Sequence, residues 1–374
     1  MESFLKFLKA SKNFVKTQVL DLESVHLVLG NESCDLDSSI AALTLAYFLH
    51  KQTPKNTITI PILNVSRADF KLHTESTHVL QKAEVSIHDL VYRDDINFKE
   101  ITSKYSVVVS LVDHHVLSKN DEILAPYVRE IIDHRPVDSS YQWDSNKVQI
   151  RIEPVGSCCT LIADKILKSD PDILCKSLAY LLYQTIIYDT IALNPENHKA
   201  TPLDIDTGYV LEQKFGFVES RQEVFDKLWQ AHNDVSHLTP LQLLSKDLKL
   251  VGGIYVPGLP MLVEDYLRLP GAIDAVEAFV EDHKVTCILL IGLNASNGKV
   301  ERDLAVYSRN IEDKLRKILL ESLMKADHEL DCRFEKRKTS CEDKIDLLHV
   351  YNIKLSRKQM VPVVKSAWKS YSEE

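Results

Sequence analysis

Short apolar runs alternate with helix-length segments through the first half of the chain. Val25-His26-Leu27-Val28-Leu29 ends in Gly30 and predicts a buried strand, and Ser38–Leu49 follows with helical periodicity. The pattern repeats with a strand at Thr57–Leu63, a helix around Thr77–Ala83, and strands at Tyr105–Val112 and Arg129–Asp133. Helical stretches then run over Ser157–Leu167 and Ile173–Ala192. Strands alternating with helices predict a largely parallel α/β sheet flanked by helices. The second half reads differently. Strands around Leu250–Val256 and Val285–Leu293 bracket a helix near Ala272–Glu281, and Asn297-Gly298 is a hairpin turn signal before Lys299–Ser308. Helices at Ile311–Met324 and Ser356–Ser370 complete a smaller mixed-sheet α/β domain. The linker is placed near Val235–Thr239, giving domains 1–236 and 237–374.

Length agrees with that division, since 374 residues exceed one ordinary core. No apolar run approaches the roughly 20 residues that a bilayer crossing needs, so no membrane association is expected. The net charge of −9 argues against binding a nucleic-acid duplex, which requires a basic stripe. It does not argue against a phosphate-cleaving enzyme, because bound cations invert the local field. Seven cysteines without framework or zinc-ligand spacing fit a reducing compartment, and a cytoplasmic location is expected. Met1–Thr17 carries Lys6, Lys9, Lys12 and Lys16 beside Phe4, Leu5, Leu8 and Phe14. It reads as a short surface helix. A signal for the mitochondrial matrix is the alternative, weakened by Glu2 and the lack of Arg.

The positions of the acids change the picture. Asp35 and Asp37 lie just beyond the first predicted strand; Asp113, His114 and His115 end the Val107–Val112 run; Asp133 and His134 end Glu130-Ile131-Ile132. In an open parallel sheet, groups past the carboxyl ends of strands converge on one crevice. Any one of these acids is ordinary as a helix N-cap, and a lone histidine as a structural one. Delivered together from three strand ends, they predict binding of hard divalent cations. Asp189 falls in Leu181–Ala192, a segment apolar around most of its circumference, where an unpartnered carboxylate is costly.

These motifs, with Glu153-Pro154-Val155-Gly156-Ser157-Cys158, resemble those of the DHH phosphoesterases. The likeness is closest to the prune-type exopolyphosphatases and phosphodiesterases, near the family II inorganic pyrophosphatases and yeast-type exopolyphosphatase. It implies a DHH domain followed by a DHHA2 domain, the active site in the cleft between them, and two divalent cations, Mn²⁺ or Mg²⁺. One ion would take Asp35 and Asp113; the other would take Asp37, Asp113, His134 and Asp189. Asn31 stands where the pyrophosphatases carry a metal-binding histidine, and offers at best an amide oxygen. Arg135 replaces the last histidine of the DHH triplet with a permanent cation suited to phosphate. The catalytic set implied is Asp113, Arg135 and His114, with His114 orienting the Asp113 carboxylate; His115 is read as structural.

In the second domain, Ser356-Arg357-Lys358-Gln359 reads as a capping box with two cations in the first helical turn. There they oppose the dipole unless an anion is gathered. The resemblance makes Arg357, Lys358 and Lys249 substrate-phosphate ligands. The expected activity is hydrolysis of short-chain polyphosphate or another small phosphate. Cyclic nucleotide hydrolysis, or regulation of a protein partner such as nucleoside diphosphate kinase, are the alternatives that the resemblance also implies.

Overall fold

A computed structural model of the protein describes residues 1–17, 22–138, 143–294, 300–329, 332–339, 343–352 and 357–373. The chain divides into two compact units, Met1–Asp234 and Val235–Glu374.

In the first unit, five strands form a sheet: β1 (Ser24–Leu29), β2 (Thr57–Ile62), β3 (Ser106–Val112), β4 (Val128–Asp133) and β5 (Gln149–Ile152). Their order is β2-β1-β3-β4-β5 and every pairing is parallel. The helices are α1 (Glu2–Thr17), α2 (Leu36–Gln52), α3 (Arg67–Phe70), α4 (Thr74–Lys82), α5 (Phe98–Lys104), α6 (Cys158–Ser169), α7 (Lys176–Asp189), α8 (Pro202–Phe215) and α9 (Arg221–Asn233). Alternation along the strands builds two cores. Val25, Leu27 and Leu29 of β1 join Val107, Val109 and Leu111 of β3 on one face, closed by Phe98 and Ile101 of α5. Val28 and Val112 turn the other way, toward the residues of α2, α6 and α7. α2 and α7 are buried on nearly every side, so their sequences are apolar almost throughout.

α1 differs from the surface helix that its lysines suggest. Phe4, Phe7, Leu8 and Phe14 are buried, because they form one stripe with the charges on the other side. The helix packs on edge strand β2, where the Ser11 hydroxyl donates to the Thr59 carbonyl at 3.0 Å. Lys12 goes inward, 2.5 Å from Asp95, which also takes Arg67 at 2.7 Å.

In the second unit the helices are α10 (Pro240–Lys246), α11 (Val263–Leu267), α12 (Ala272–Asp282), α13 (Lys314–Glu329) and α14 (Arg357–Ser372). The strands are β6 (Leu248–Val251), β7 (Ile254–Leu259), β8 (Cys287–Asn294), β9 (Glu301–Ser308), β10 (Phe334–Arg337) and β11 (Ile345–Val350). Their order is β10-β11-β9-β8-β7-β6, with only β7 and β8 parallel. The Asn297-Gly298 turn lies outside the described residues, while β8 and β9 on either side of it pair antiparallel. The expected Leu250–Val256 strand is instead a hairpin, β6 and β7, because Gly252-Gly253 breaks the run; Gly252 has φ +65.

The Lys12–Asp95 pair gives a stability prediction. Removing Asp95 leaves a buried ammonium and Arg67 without their shared partner, so Asp95→Ala should cost about 3 kcal/mol in urea unfolding. Lys12→Met leaves Asp95 paired to Arg67 and should cost less than about 1 kcal/mol. Equal losses would mean that the pair does not hold α1 in place.

Candidate metal centre

The order β2-β1-β3 reverses direction at β1, and the crevice beyond the strand ends at such a switch point is where open α/β sheets bind ligands. Three connections leave there, and each is shaped by its sequence. After β1, a Cβ on Gly30 would lie 2.5 Å from the Ser38 hydroxyl, and that hydroxyl takes the Asn31 N–H at 2.8 Å. Only glycine permits this close return of the chain over the start of α2. After β3, Asp113 has φ +60, a left-handed conformation that Asp and Asn tolerate better than other side chains. After β4, the Asp133 carboxylate is consumed internally: it accepts the N–H groups of His134 at 2.7 Å and Arg135 at 3.2 Å.

Asp37, Asp113 and His134 converge, their ligand atoms lying within 4.8 Å of one another. The Nδ1–H of His134 donates to the Val155 carbonyl at 2.8 Å, which leaves Nε2 as the bare nitrogen. Nε2 lies 3.1 Å from Asp113 Oδ1 and 3.6 Å from Asp37 Oδ2. With the ring neutral, these are acceptors facing acceptors. The arrangement is satisfied by a second proton on the ring, by a proton on the Asp113 carboxyl, or by a cation among the three atoms. Among the described residues, Asp113 Oδ1 is sealed from solvent with no hydrogen-bond donor, and the same holds for Asp189 Oδ2. The donor set therefore fits a hard or borderline divalent cation.

Asp37 is held by the start of α6. Its carboxylate accepts the Cys158 N–H at 2.6 Å, the Cys159 N–H at 2.8 Å and the Ser157 hydroxyl at 2.8 Å. Free amides at a helix N-terminus hold an anion, which explains the Gly156-Ser157-Cys158 motif. Asp204 braces that turn and was not singled out in the sequence. Fully buried, it accepts the Gly156 N–H at 2.8 Å and the Thr160 hydroxyl at 2.6 Å while closing the capping box of α8. Thr201-Pro202-Leu203-Asp204 was the available signal.

Asp35 and Asp189 border the trio without joining it. Asp35 is the N-cap of α2, accepting the Ser38 N–H at 3.1 Å. Burial and the charge of Asp37 push its carboxyl up. Asp189 is the last residue of α7, at the dipole end that disfavours an anion, and burial together with Asp37 and Asp35 raises it well above the carboxylate range.

Two substitutions in the motif pattern acquire a geometry. The Asn31 carbonyl oxygen accepts from the Cys34 N–H at 2.9 Å and the Ser33 hydroxyl at 2.7 Å, so it faces away from the trio. Its amide nitrogen donates to Asp113 Oδ2 at 2.5 Å. Asn31 thus orients the Asp113 carboxylate, the task expected of His114. The His114 ring is instead tied to the Val112 carbonyl at 2.9 Å, and burial lowers its basicity. Arg135 is half-exposed, its guanidinium 3.6 Å from Asp113 Oδ2. His115 takes the Asp138 N–H at 2.8 Å on Nε2 and gives Nδ1–H to Asp133 at 2.5 Å, an arrangement that fixes the turn. In the second unit, Lys249 is exposed on edge strand β6. Arg357 and Lys358 open α14, with Ser356 and both side chains outside the described residues.

Comparison with known proteins follows the same architecture. Residues 26–186 match the DHH family N-terminal domain and residues 226–367 match the DHHA2 domain. The human exopolyphosphatase PRUNE1 is 33% identical over 356 residues, covering 93% of this chain and 76% of that protein. The chain belongs to the prune exopolyphosphatase family. A manganese-dependent inorganic pyrophosphatase of Methanocaldococcus jannaschii is 27% identical across 59% of this chain and 66% of its own length. The crystal structure of a family II inorganic pyrophosphatase from Methanococcus jannaschii shares the fold, with a TM-score of 0.50 at 21% identity over 92% of this chain and 99% of that one. Asn31 and Arg135 are therefore features of a prune-family chain, and the contacts above show what each does here.

Burial and the neighbouring Asp37 push the Asp113 carboxyl up to about 8. Burial pulls His134 down, but Asp113 and Asp37 more than offset this and raise it to about 10. Both folded values exceed the unfolded ones. The Asp113 shift therefore costs increasing stability as pH rises from about 4 to 8, and the His134 shift stabilises below about 6.5 and fades toward 10. Without metal, the melting temperature should fall between pH 6 and pH 9. A divalent cation must displace these protons, so its affinity should rise with pH and calorimetry in buffers of different ionisation enthalpy should show proton release. A metal affinity independent of pH over that range would remove Asp113 and His134 from the ligand set.

Proposed function

We propose that this chain is a divalent-cation-dependent phosphohydrolase that cleaves phosphoanhydride bonds of short-chain inorganic polyphosphate. The observation that carries this reading is the convergence of Asp37, Asp113 and His134 with the buried Asp113 Oδ1 left without a hydrogen-bond donor. The human relative is named an exopolyphosphatase and the archaeal relative a manganese-dependent pyrophosphatase, which supports the substrate class and the type of metal.

Asp37, Asp113, His134 and Asp189 would hold one cation, and Asp35 with Asp113 a second, with Mn²⁺ or Mg²⁺ as the candidates. With the four carboxylates ionised, His134 neutral as a ligand and Arg135 cationic, the site carries more negative charge than a single divalent ion neutralises. When bound, such ions supply Lewis acidity toward phosphoryl oxygen and toward water. The protein's own part is positioning and charge. Asn31 and the α6 amides fix the two carboxylates, so neither reorganises as negative charge grows on the substrate. Arg135 brings a permanent cation beside them for a phosphate oxygen. Lys249, Arg357 and Lys358 are proposed to hold further phosphates of the substrate, and a chain of several phosphates uses them more fully than pyrophosphate does.

Three measurements test this. Asp113→Asn keeps the left-handed turn and removes the charge, so the fold should persist while hydrolysis drops by about 10³-fold or more and metal content falls. Retained activity with full metal content would sink the assignment. On a panel of pyrophosphate, tripolyphosphate, tetrapolyphosphate and cyclic AMP with Mn²⁺ or Mg²⁺, kcat/KM should be highest on the tri- and tetrapolyphosphate. Pyrophosphate as the best substrate would overturn the reading of Asn31 and Arg135. Replacing Arg357 and Lys358 together with Ala should leave metal stoichiometry unchanged and lower kcat/KM on tripolyphosphate by about 10²-fold. No loss would return both to a solvent-facing role.

A further inference from the structure

A second pocket lies on the helical layer of the first unit, away from the strand ends. It has a volume of about 370 Å³ and is lined by α4, α7 and the connection between α8 and α9. Such a volume falls at the low end for small-molecule sites, enough for one ring system with one charged group.

Its lining is specific in three ways. On α7, Lys176, Tyr180 and Gln184 face it at intervals of four, one stripe of the helix. Gln184 is only 7% exposed, yet its side chain makes no hydrogen bond among the described residues. Its carboxamide atoms are not sealed from solvent but open onto the cavity, where they offer both a donor and an acceptor. The walls are aromatic: the Tyr180 and Phe217 rings lie 5.1 Å apart, with Val218 fully exposed beside them. The rim is cationic. Lys82 makes no ion pair among the described residues, and Lys176 is held only by the Gly216 carbonyl at 2.9 Å. The one acid in the lining, Glu219, is occupied by Lys227 and the Tyr180 hydroxyl.

We propose that this pocket binds a planar heteroaromatic anion of the purine nucleoside monophosphate class. The ring edge pairs with the Gln184 carboxamide, as amide side chains pair with adenine; the ring packs against the wall that Phe217 and Tyr180 form together, and the phosphate sits between Lys82 and Lys176. This is a different site from the metal centre. Gln184 precedes Asp189 by five residues on α7, about 7.5 Å along the axis and about 140° round it. The proposal requires neither the identity of the hydrolysed substrate nor the metal count.

Titration calorimetry of the Mn²⁺-loaded full chain with adenosine monophosphate tests it. One equivalent should bind, and adenosine or inorganic phosphate alone should bind at least about tenfold more weakly. Gln184→Leu should weaken the nucleotide by about 5- to 150-fold, the range for loss of a bidentate amide contact. Asp113→Asn should leave the affinity unchanged. Absence of binding at millimolar nucleotide overturns the proposal; so does loss in Asp113→Asn with Gln184→Leu unaffected, which places the ligand at the metal centre. Adenosine binding as tightly as its monophosphate removes the anion site. Should Gln184→Leu fail to fold by circular dichroism, exposed Lys82→Glu decides: a loss of about tenfold or more supports the site, and an unchanged affinity overturns it.

Discussion

Asp35, Asp37, Asp113 and Asp189 are brought to one crevice by strand ends and a helix end, and their repulsion constrains everything around them. Burial is the largest cause that raises Asp35, Asp113 and Asp189, and the charge of Asp37 raises all three further. A fold that gathers such charges has to fix them with groups that cannot move away. Here the fixing groups are backbone amides at the start of α6, the Asn31 amide and the Val155 carbonyl behind His134. The centre is therefore held by hydrogen bonds without a cation, and the conflict is relieved by protons on Asp113 and His134 that a cation would have to displace.

Rigidity at the centre depends on a second ring of residues with no charge to offer a metal. Gly156 shows how tight that ring is: a Cβ there would sit 2.5 Å from Thr190 and 2.8 Å from the Lys199 carbonyl. Asp204 closes the ring by tying Gly156, Thr160 and the cap of α8 together. Its carboxylate accepts four hydrogen bonds, which is how a buried anion is tolerated without a cation. The same side chain type thus serves two ends in adjoining positions. Asp113 is left short of donors, whereas Asp204 is saturated.

Much of the first unit was legible because its physics is periodic. Buried strands read as Val/Ile/Leu runs, and the acids that follow them read as a crevice. Reading failed where contacts are long-range. Nothing local in Met1–Thr17 says that Phe4 and Phe7 pack on Tyr47 of α2 and Phe14 on Tyr105, since four lysines give the same pattern to an exposed amphipathic helix. The role of Asn31 was likewise hidden. An amide can ligate through oxygen or donate through nitrogen, and the choice was made by the Cys34 N–H three residues on, which captures the oxygen. His114 was misplaced for a related reason: adjacent to Asp113 in sequence, it follows a left-handed residue, and its ring turns back to the Val112 carbonyl.

α7 gathers these lessons in one element. Its near-continuous apolar surface buries it among α2, α6, α8 and α9, so any polar side chain along it has to find a use. Thr185 bonds back to the Leu181 carbonyl, and Tyr183 reaches Glu212. Asp189 and Gln184 do neither. The first leaves an oxygen bare at the metal centre, and the second faces a cavity walled by aromatic rings. On α7, then, Asp189 keeps a sealed oxygen without a hydrogen bond, and Gln184 opens onto the cavity about 140° round the helix. The partner proposed for Asp189 is a cation; the one proposed for Gln184 is the edge of a heteroaromatic ring whose phosphate meets Lys82 and Lys176 at the rim.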